Sequence, residues 1–429
     1  MIDTKILRET PEKIRANLEN RNIMDFPLDE LLSLDAKRRE LITMNQKLKE
    51  ERNRYSLEIS RAKRAGNEEQ TLAIIAQMKK TSDEITENDK QIESIAQNFE
   101  LLLSTVPNFI DAEVPIGKDE SANREISRWG ETHLGKEDHI DISAKYDLID
   151  VERAAKTSGA RFYFLKRDLV RLNYALISYA LDFLRKRGFI LIQPPYMLKR
   201  EAISGAVILG DFEDVIYKIE NEDLYLIGTS EHAIASMHMK EIFLPDTLPL
   251  LYAGISPCFR KEAGAHGRDT KGIFRVHQFE KVEQFVFCEP SRSQQEHRKL
   301  LENAEQFLQT LGIPYRVMLL SSGDMGKVAA KTFDLEGWIP SQGKYRELIS
   351  CSNCTDFQSR ALGIKYREKP HEESQFVHTL NSTLVATERT IVALIENYYD
   401  PGSGNIRIPP ILVDYMNGQT EITRSASPS

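Results

Sequence analysis

Residues 258–283 read Cys258-Phe-Arg260-Lys261-Glu262-Ala-Gly-Ala-His266-Gly-Arg268-Asp269-Thr-Lys271-Gly-Ile-Phe-Arg275-Val276-His-Gln-Phe279-Glu-Lys-Val-Glu283. Apolar, strand-like runs bracket them, Leu248 to Ser256 before and Val282 to Cys288 after, so the stretch connects a hairpin. A connection carrying Arg260, Glu262, Arg268, Asp269, Lys271 and Arg275 is not built for packing. Convergent cations suit a polyphosphate, because guanidinium groups bind phosphate oxygens bidentately and keep their charge when desolvated. A solvated loop would explain the charges alone, but not Phe279 and Glu283 on strand-like flanks.

The pattern F-R-x-E-A-G-x-x-G-R-D-T-x-G, an apolar position, then x-R-x-H-Q-F-x-K-V-E resembles motif 2 of the class II aminoacyl-tRNA synthetases. Within that class it is similar to the seryl-tRNA synthetase family, in its bacterial-type branch rather than the zinc-dependent one. The resemblance implies an α+β fold. A catalytic domain with a mainly antiparallel sheet flanked by helices would be preceded by an N-terminal antiparallel helical coiled-coil arm.

A chain of 429 residues has room for roughly two to four domains. No run approaches the roughly 18 apolar residues of a membrane span, and Asp182 interrupts the best candidate, Tyr174 to Leu184. The first turns mix Asp3, Arg8, Glu9 and Glu12, unlike a signal or transit peptide, so a cytoplasmic protein without a membrane partner is expected. Four cysteines do not make a disulfide framework. Cys351 and Cys354 form a C-x-x-C, but Cys258 and Cys288 have no such spacing and lie in the hairpin, so no zinc is expected.

The net charge of −8 hides an asymmetry. Residues 34–64 carry ten Lys or Arg against five acids, and residues 68–104 carry three against eight. Leu34, Leu41, Leu48, Tyr55 and Ala62 recur every seven residues, with Met44 between. Met78, Ile85, Ile92 and Phe99 do the same, with companions Ile74, Ile95 and Leu102. Each is a heptad seam, and Ala65-Gly66-Asn67 supplies the turn, predicting paired helices over about 28–64 and 68–104. Read alone, the pair is a dimerisation coiled coil or a basic surface for nucleic acid. Arg38, Arg39, Lys47, Lys49, Arg52, Arg54, Arg61, Lys63 and Arg64 would attract phosphate backbones by counterion release. The family resemblance makes residues 1–108 a tRNA-binding domain whose arm meets tRNA(Ser), and tRNA(Sec) where the source has one.

Residues 109–429 are then the catalytic domain. Lys166 to Arg187 reads as a helix buried through Leu169, Leu172, Leu176, Tyr179, Ala180, Phe183 and Leu184. A strand stopped by Pro194-Pro195 follows. This order resembles motif 1 (about 166–195), which implies a homodimer. Motif 2 covers about 250–288. Motif 3, about 380–397, contains Arg389 in Ala-Thr-Glu-Arg-Thr-Ile-Val.

The resemblance implies activation of L-serine by ATP and transfer of the seryl group to tRNA, by a serine–tRNA ligase. It assigns Arg260 and Glu347 to catalysis. ATP would contact Arg260, Lys261, Glu262, Arg275, Val276, Phe279, Glu347, Leu348, Ile349, Ser350 and Arg389. Glu262 is expected two residues along the same strand face as Arg260, with Phe279 and Arg389 on the two sides of adenine. Glu347 and Ser350 would hold Mg²⁺, since a bare carboxylate repels phosphate. L-serine would meet Thr229, Ser230, Glu231, Arg260, Glu283, Asn381 and Thr383. His232 and His238 read as packing residues, or as supports for residues of the site, rather than metal ligands. Two rivals are a ligase charging a carrier protein, which would lack the arm, and an inactive RNA-binding relative, which would not need these charged residues.

Overall fold

Eight strands build one sheet, its central strands Gln278–Cys288 and His378–Ala386 buried along almost their whole length and its edge strand Arg124–Trp129 exposed throughout. Its strands are β1 (Arg124–Trp129), β2 (Ile190–Ile192), β3 (Leu250–Phe259) and β4 (Gln278–Cys288). It is completed by β5 (Tyr315–Leu319), β6 (Lys331–Ile339), β7 (Lys344–Thr355) and β8 (His378–Ala386). The spatial order is β1-β5-β6-β7-β8-β4-β3-β2. Every neighbouring pair is antiparallel except β2 with β3. The computed structural model describes residues 1–208, 210, 215–262, 271–369 and 371–424. His266, Arg268 and Asp269, and the tail beyond Arg424, lie outside the described residues.

The chain divides into two compact units, one of Ile2–Glu19 and Ile23–Val106, the other of Met1, Asn20–Asn22 and Pro107–Ser429. The first holds α1 (Thr4–Glu9), most of α2 (Pro11–Asn20), α3 (Leu28–Arg64) and α4 (Glu68–Thr105). At 1.5 Å per residue the two long helices each run roughly 55 Å. Asn67 caps α4 by accepting from the Gln70 amide at 3.0 Å.

The seam departs from expectation at one position. Met44 is 46% exposed, while Asn45 is buried. Heptad positions alternate steps of four and three, so Leu41 is followed on the seam by residue 45 rather than 44. The same rule puts Arg38 on the seam, where its guanidinium lies 5.1 Å from the Phe99 ring centre. Asn45 Nδ2 donates to Asp89 Oδ1 at 2.7 Å across the helix pair. Asn45 Oδ1 and Asn88 Nδ2 are buried without a hydrogen-bond partner.

In the second unit α5 (Asp168–Arg185) buries every apolar position its periodicity marked, Leu169 through Leu184, in one core with Val282 and Val286 of β4 and Leu380 of β8. A fully buried Leu such as Leu176 contributes roughly 1.5–3 kcal/mol relative to exposure. The opposite face of α5 leaves Tyr174 60% exposed, and edge strand β2 leaves Ile190 53% exposed. The remaining helices that frame the site are α6 (Ser230–Met237), α7 (Ser293–Thr310), α8 (Phe357–Leu362) and α9 (Thr387–Tyr398).

Replacing Asn45 and Asn88 together by Leu should stabilise the helix pair by about 1 kcal/mol, since a buried polar seam residue sets register at the expense of stability. Urea unfolding of the full chain followed by circular dichroism measures it, and a drop in stability would contradict the seam assignment.

Candidate active site

Thr229 ends an extended segment and caps α6, its Oγ1 accepting from the Glu231 amide at 3.2 Å. Ser230 is fully buried and donates to the Gly254 carbonyl at 3.3 Å. Its hydroxyl therefore fastens α6 to β3 and does not join the polar cluster. Gly254 permits that approach, because a Cβ there would lie 2.5 Å from Ile234 Cδ1 and 2.8 Å from Ser230 Oγ. Gly254 faces Glu283 across the ladder.

Lys281 and Glu283 stand two apart on β4 and so share a face. Their side chains are 7% and 2% exposed and form an ion pair. Thr383, opposite Glu283 on β8, donates to Glu283 Oε2 at 3.4 Å. Glu231 Oε1 accepts from Gln358 Nε2 of α8 at 3.0 Å and from Asn381 Nδ2 of β8 at 3.1 Å. Burial, reinforced by the Glu283 charge, pushes the Glu231 carboxyl up to about 7. Burial also pushes Glu283 upward, against the opposing charge of Lys281. Burial holds His232 at about 3, and its Nδ1 accepts from the Gly228 amide at 3.4 Å, so it is a neutral packing residue. His238 bridges Glu241 and the Tyr252 hydroxyl at 2.7 and 2.9 Å.

Arg260 follows the end of β3. Its Nε donates to the Gly228 carbonyl at 3.2 Å and its guanidinium lies 5.1 Å from the Phe279 ring centre. The Arg260 amide still donates in register to the His277 carbonyl, but the Lys261 amide turns to the Val215 carbonyl, so the chain leaves the ladder at Lys261. Glu262 then adopts φ +50°. It is not on the strand face shared with Arg260, as expected from the sequence, but beyond the strand, paired with Arg275 at 2.8 Å.

Arg389, in the first turn of α9, meets Glu347 Oε1 at 3.0 Å and the Glu347 carbonyl at 3.1 Å. Its charge, aided by Arg260 and Arg275, holds the Glu347 carboxyl below the usual carboxylate range. The next-door Glu388 accepts from the Glu280 amide and Thr387 hydroxyl, both at 3.0 Å, and from Tyr163, which ties the start of α9 to β4. Arg389 lies over Phe274 at 5.3 Å, with Arg346 at 4.5 Å from the same ring, while Phe279 keeps Arg260. Ser350 faces Asp334 across the β6–β7 ladder, and Asp334 Oδ1 is buried without a hydrogen-bond partner. Val276, Leu348 and Ile349 bury their side chains in the core, leaving only their main chain for a ligand. Gly272, at φ +86°, returns the connection beneath His139; a Cβ there would sit 2.0 Å from His139 Nε2.

On α3 the basic residues fall into groups. Arg38 and Arg52 are half-buried at seam positions. Arg39 pairs with Asp35 at 3.0 Å, Lys49 with Asp89 at 3.6 Å and Arg54 with Glu51 at 3.1 Å. Lys47, Arg61, Lys63 and Arg64 are exposed and hold no ion pair among the described residues.

Sequence reading missed Lys281, Gln358, Asp334 and Phe274. Lys281 carried a signal, its i, i+2 spacing from Glu283, whereas Gln358 reaches Glu231 from a distant segment. All four cysteines are buried and free. Among the described residues no group of three or more His, Cys, Asp or Glu could hold a metal ion. No described helix is long and apolar enough to cross a membrane.

A mainly antiparallel sheet, with Arg260 at the end of one hairpin strand and Arg389 opening the helix after β8, defines the catalytic core of a class II aminoacyl-tRNA synthetase. Residues 215–398 match the tRNA synthetase class II core domain (G, H, P, S and T), and residues 1–110 match the seryl-tRNA synthetase N-terminal domain. The chain is 54% identical over 425 residues to the serine–tRNA ligase of Nitrosopumilus maritimus, covering 98% of this chain and 100% of that one. The seryl-tRNA synthetase from Pyrococcus horikoshii complexed with ATP is similar at TM-score 0.92 and 43% identity, covering 99% and 100% of the two chains. The cytoplasmic serine–tRNA ligase from Naegleria fowleri in complex with AMP is similar at TM-score 0.84 and 36% identity, covering 99% of each. The chain belongs to the seryl-tRNA synthetase family.

Glu231 is raised in the free protein, so a bound ammonium, which favours the carboxylate, should bind more tightly once pH passes about 7. The KM for the amino-acid substrate should therefore fall as pH rises through that value. Glu231→Gln should flatten the dependence, and a profile unchanged by that substitution would remove Glu231 from ammonium binding.

Proposed function

We propose that this chain activates L-serine with ATP to seryl-adenylate and pyrophosphate, then transfers the seryl group to tRNA(Ser), and to tRNA(Sec) where the cell makes one. The observation that carries this reading is the cluster Glu231, Lys281, Glu283 and Thr383 beside Arg260, with the Arg389–Glu347 pair acting on the same neighbourhood. The serine carboxylate attacks the α-phosphorus as pyrophosphate departs in line, which requires positioning and charge neutralisation more than covalent help from the protein. Arg260 is suited to both reactants, since it borders the carboxylate cluster and stacks on Phe279. Glu231 would take the substrate ammonium, and Glu283 with Thr383 its hydroxyl. A pocket built to pair a hydroxyl leaves polar groups unsatisfied with alanine, which is a strong basis for rejection.

Glu347 and Ser350, with Asp334 alongside, are the residues that would hold Mg²⁺. The fit rests on the buried, unpartnered Asp334 oxygen and on the need for a cation between carboxylates and phosphates. Bound there, the ion would neutralise phosphate charge. The exposed apolar residues Val170 and Tyr174 of α5, with Ile190 and Leu191 of β2, support a homodimer through this face. A cytoplasmic location accords with this activity. The carrier-protein alternative has no support, because the helix pair such ligases lack spans Leu28 to Thr105.

Amino-acid-dependent ATP–pyrophosphate exchange tests the reading. Serine should support exchange while threonine, alanine, glycine and cysteine do not, and exchange favouring alanine or glycine would overturn it. Arg260→Ala should lower serine-dependent turnover by about 10²–10³, the scale of losing one preorganised charge at the reacting centre.

Changing Lys47, Arg61, Lys63 and Arg64 together to Gln should raise the KM for tRNA and flatten its salt dependence, by about 0.7–0.9 in log–log slope for each phosphate no longer neutralised. Pyrophosphate exchange should stay unchanged. Aminoacylation over a salt series reads both, and an unaltered slope would exclude these side chains from tRNA binding.

A further inference from the structure

We propose that Lys281 sets the side-chain specificity of the amino-acid pocket. By neutralising Glu283 it makes the site select an uncharged hydroxyl and reject a serine analogue bearing an ammonium in the same place. This inference rests on the serine-activating reading above.

The charges near the pocket balance. Glu231 and Glu283 are met by Lys281 and Arg260, and each of these cations draws both carboxylates toward ionisation against the opposing effect of burial. Serine, a zwitterion, leaves that balance unchanged. The Lys281 ammonium and the Thr383 hydroxyl both approach Glu283 Oε2, which leaves Oε1 to accept from a substrate. Lys281 is itself nearly shut off from solvent, its side chain being 7% exposed.

Without Lys281 the two carboxylates would share only Arg260, and Glu283 would lose the ammonium paired with its Oε2, a state that recruits a cation or a proton. L-2,3-Diaminopropionate has the shape of serine with an ammonium in place of the hydroxyl, so it would supply the missing charge. With Lys281 present, the same ammonium meets a like charge instead. Lys281 thus acts by exclusion as much as by support of Glu283.

The test is ATP–pyrophosphate exchange by the full chain with L-serine and with L-2,3-diaminopropionate, for the wild type, Lys281→Met and Lys281→Gln. Wild type should use serine and discriminate against the diamino acid. In the variants the ratio of kcat/KM for diaminopropionate to that for serine should rise by roughly tenfold or more, mainly through KM, as expected for removal of one nearby like charge. Lys281→Gln retains a hydrogen-bond donor to Glu283 and serves if the Met variant does not fold. A ratio unchanged in either folded variant, or a wild type that uses the diamino acid as well as serine, would overturn the proposal. Failure of the wild type to exchange with serine would instead overturn the underlying functional reading.

Discussion

A buried ion pair, Lys281 with Glu283, lies on the inner face of the β3–β4 hairpin, and the architecture around it follows from the need to keep both charges compensated. Removing one partner of such a pair leaves an uncompensated charge and destabilises by about 3–5 kcal/mol. Gly254 opens space opposite Glu283, α6 closes over that space, and β8 brings Thr383 and Asn381 to the other side. Each of these elements also contributes a group to the candidate pocket. The same contacts therefore hold the fold together and define its chemistry.

The arginines proposed to meet phosphate follow a different rule. Arg260, Arg275 and Arg389 arrive from the two ends of the hairpin connection and from α9, and each is already engaged: Arg260 with the Gly228 carbonyl, Arg275 with Glu262, Arg389 with Glu347. These pairs hold the guanidinium groups in place without a ligand. Bound phosphates would replace the carboxylate partners of Arg275 and Arg389, so part of the orientation entropy is met in advance. The contacts of Glu388 with Tyr163, Thr387 and Glu280 extend this anchoring behind Arg389.

Much of the site was legible because it lies in short local patterns. The hairpin, Arg260, Glu283 and the face of α5 follow from periodicity and spacing, and the roles came from a family resemblance carried by one long motif. The departures have physical causes. Met44 was placed on the seam by a step of three where the helix pair takes a step of four. Glu262 was read as continuing a strand that ends at Phe259, because nothing in Arg-Lys-Glu marks a change to positive φ. Phe274 lies in the connection between the hairpin strands, and only the packed chain brings two guanidinium groups over its ring.

Local order along the chain was enough to establish the class of fold, the helix pair with its opposed charges, and the residue types brought to bear on phosphates and on a small amino acid. The helix pair and the buried face of α5 are read from repeats of seven and of three to four residues, whereas the fold class and the residues for phosphates and for the amino acid come from the resemblance carried by the 258–283 motif. It took the packed chain to establish that Gln358 supports Glu231, that Ser230 fastens α6 to β3, that Asp334 stands beside Ser350, and that Lys281 compensates Glu283. Such partners lie up to 127 positions apart or depend on which way a side chain turns. Burial then sets their charge states, and burial belongs to the packed sheet rather than to any segment of the chain.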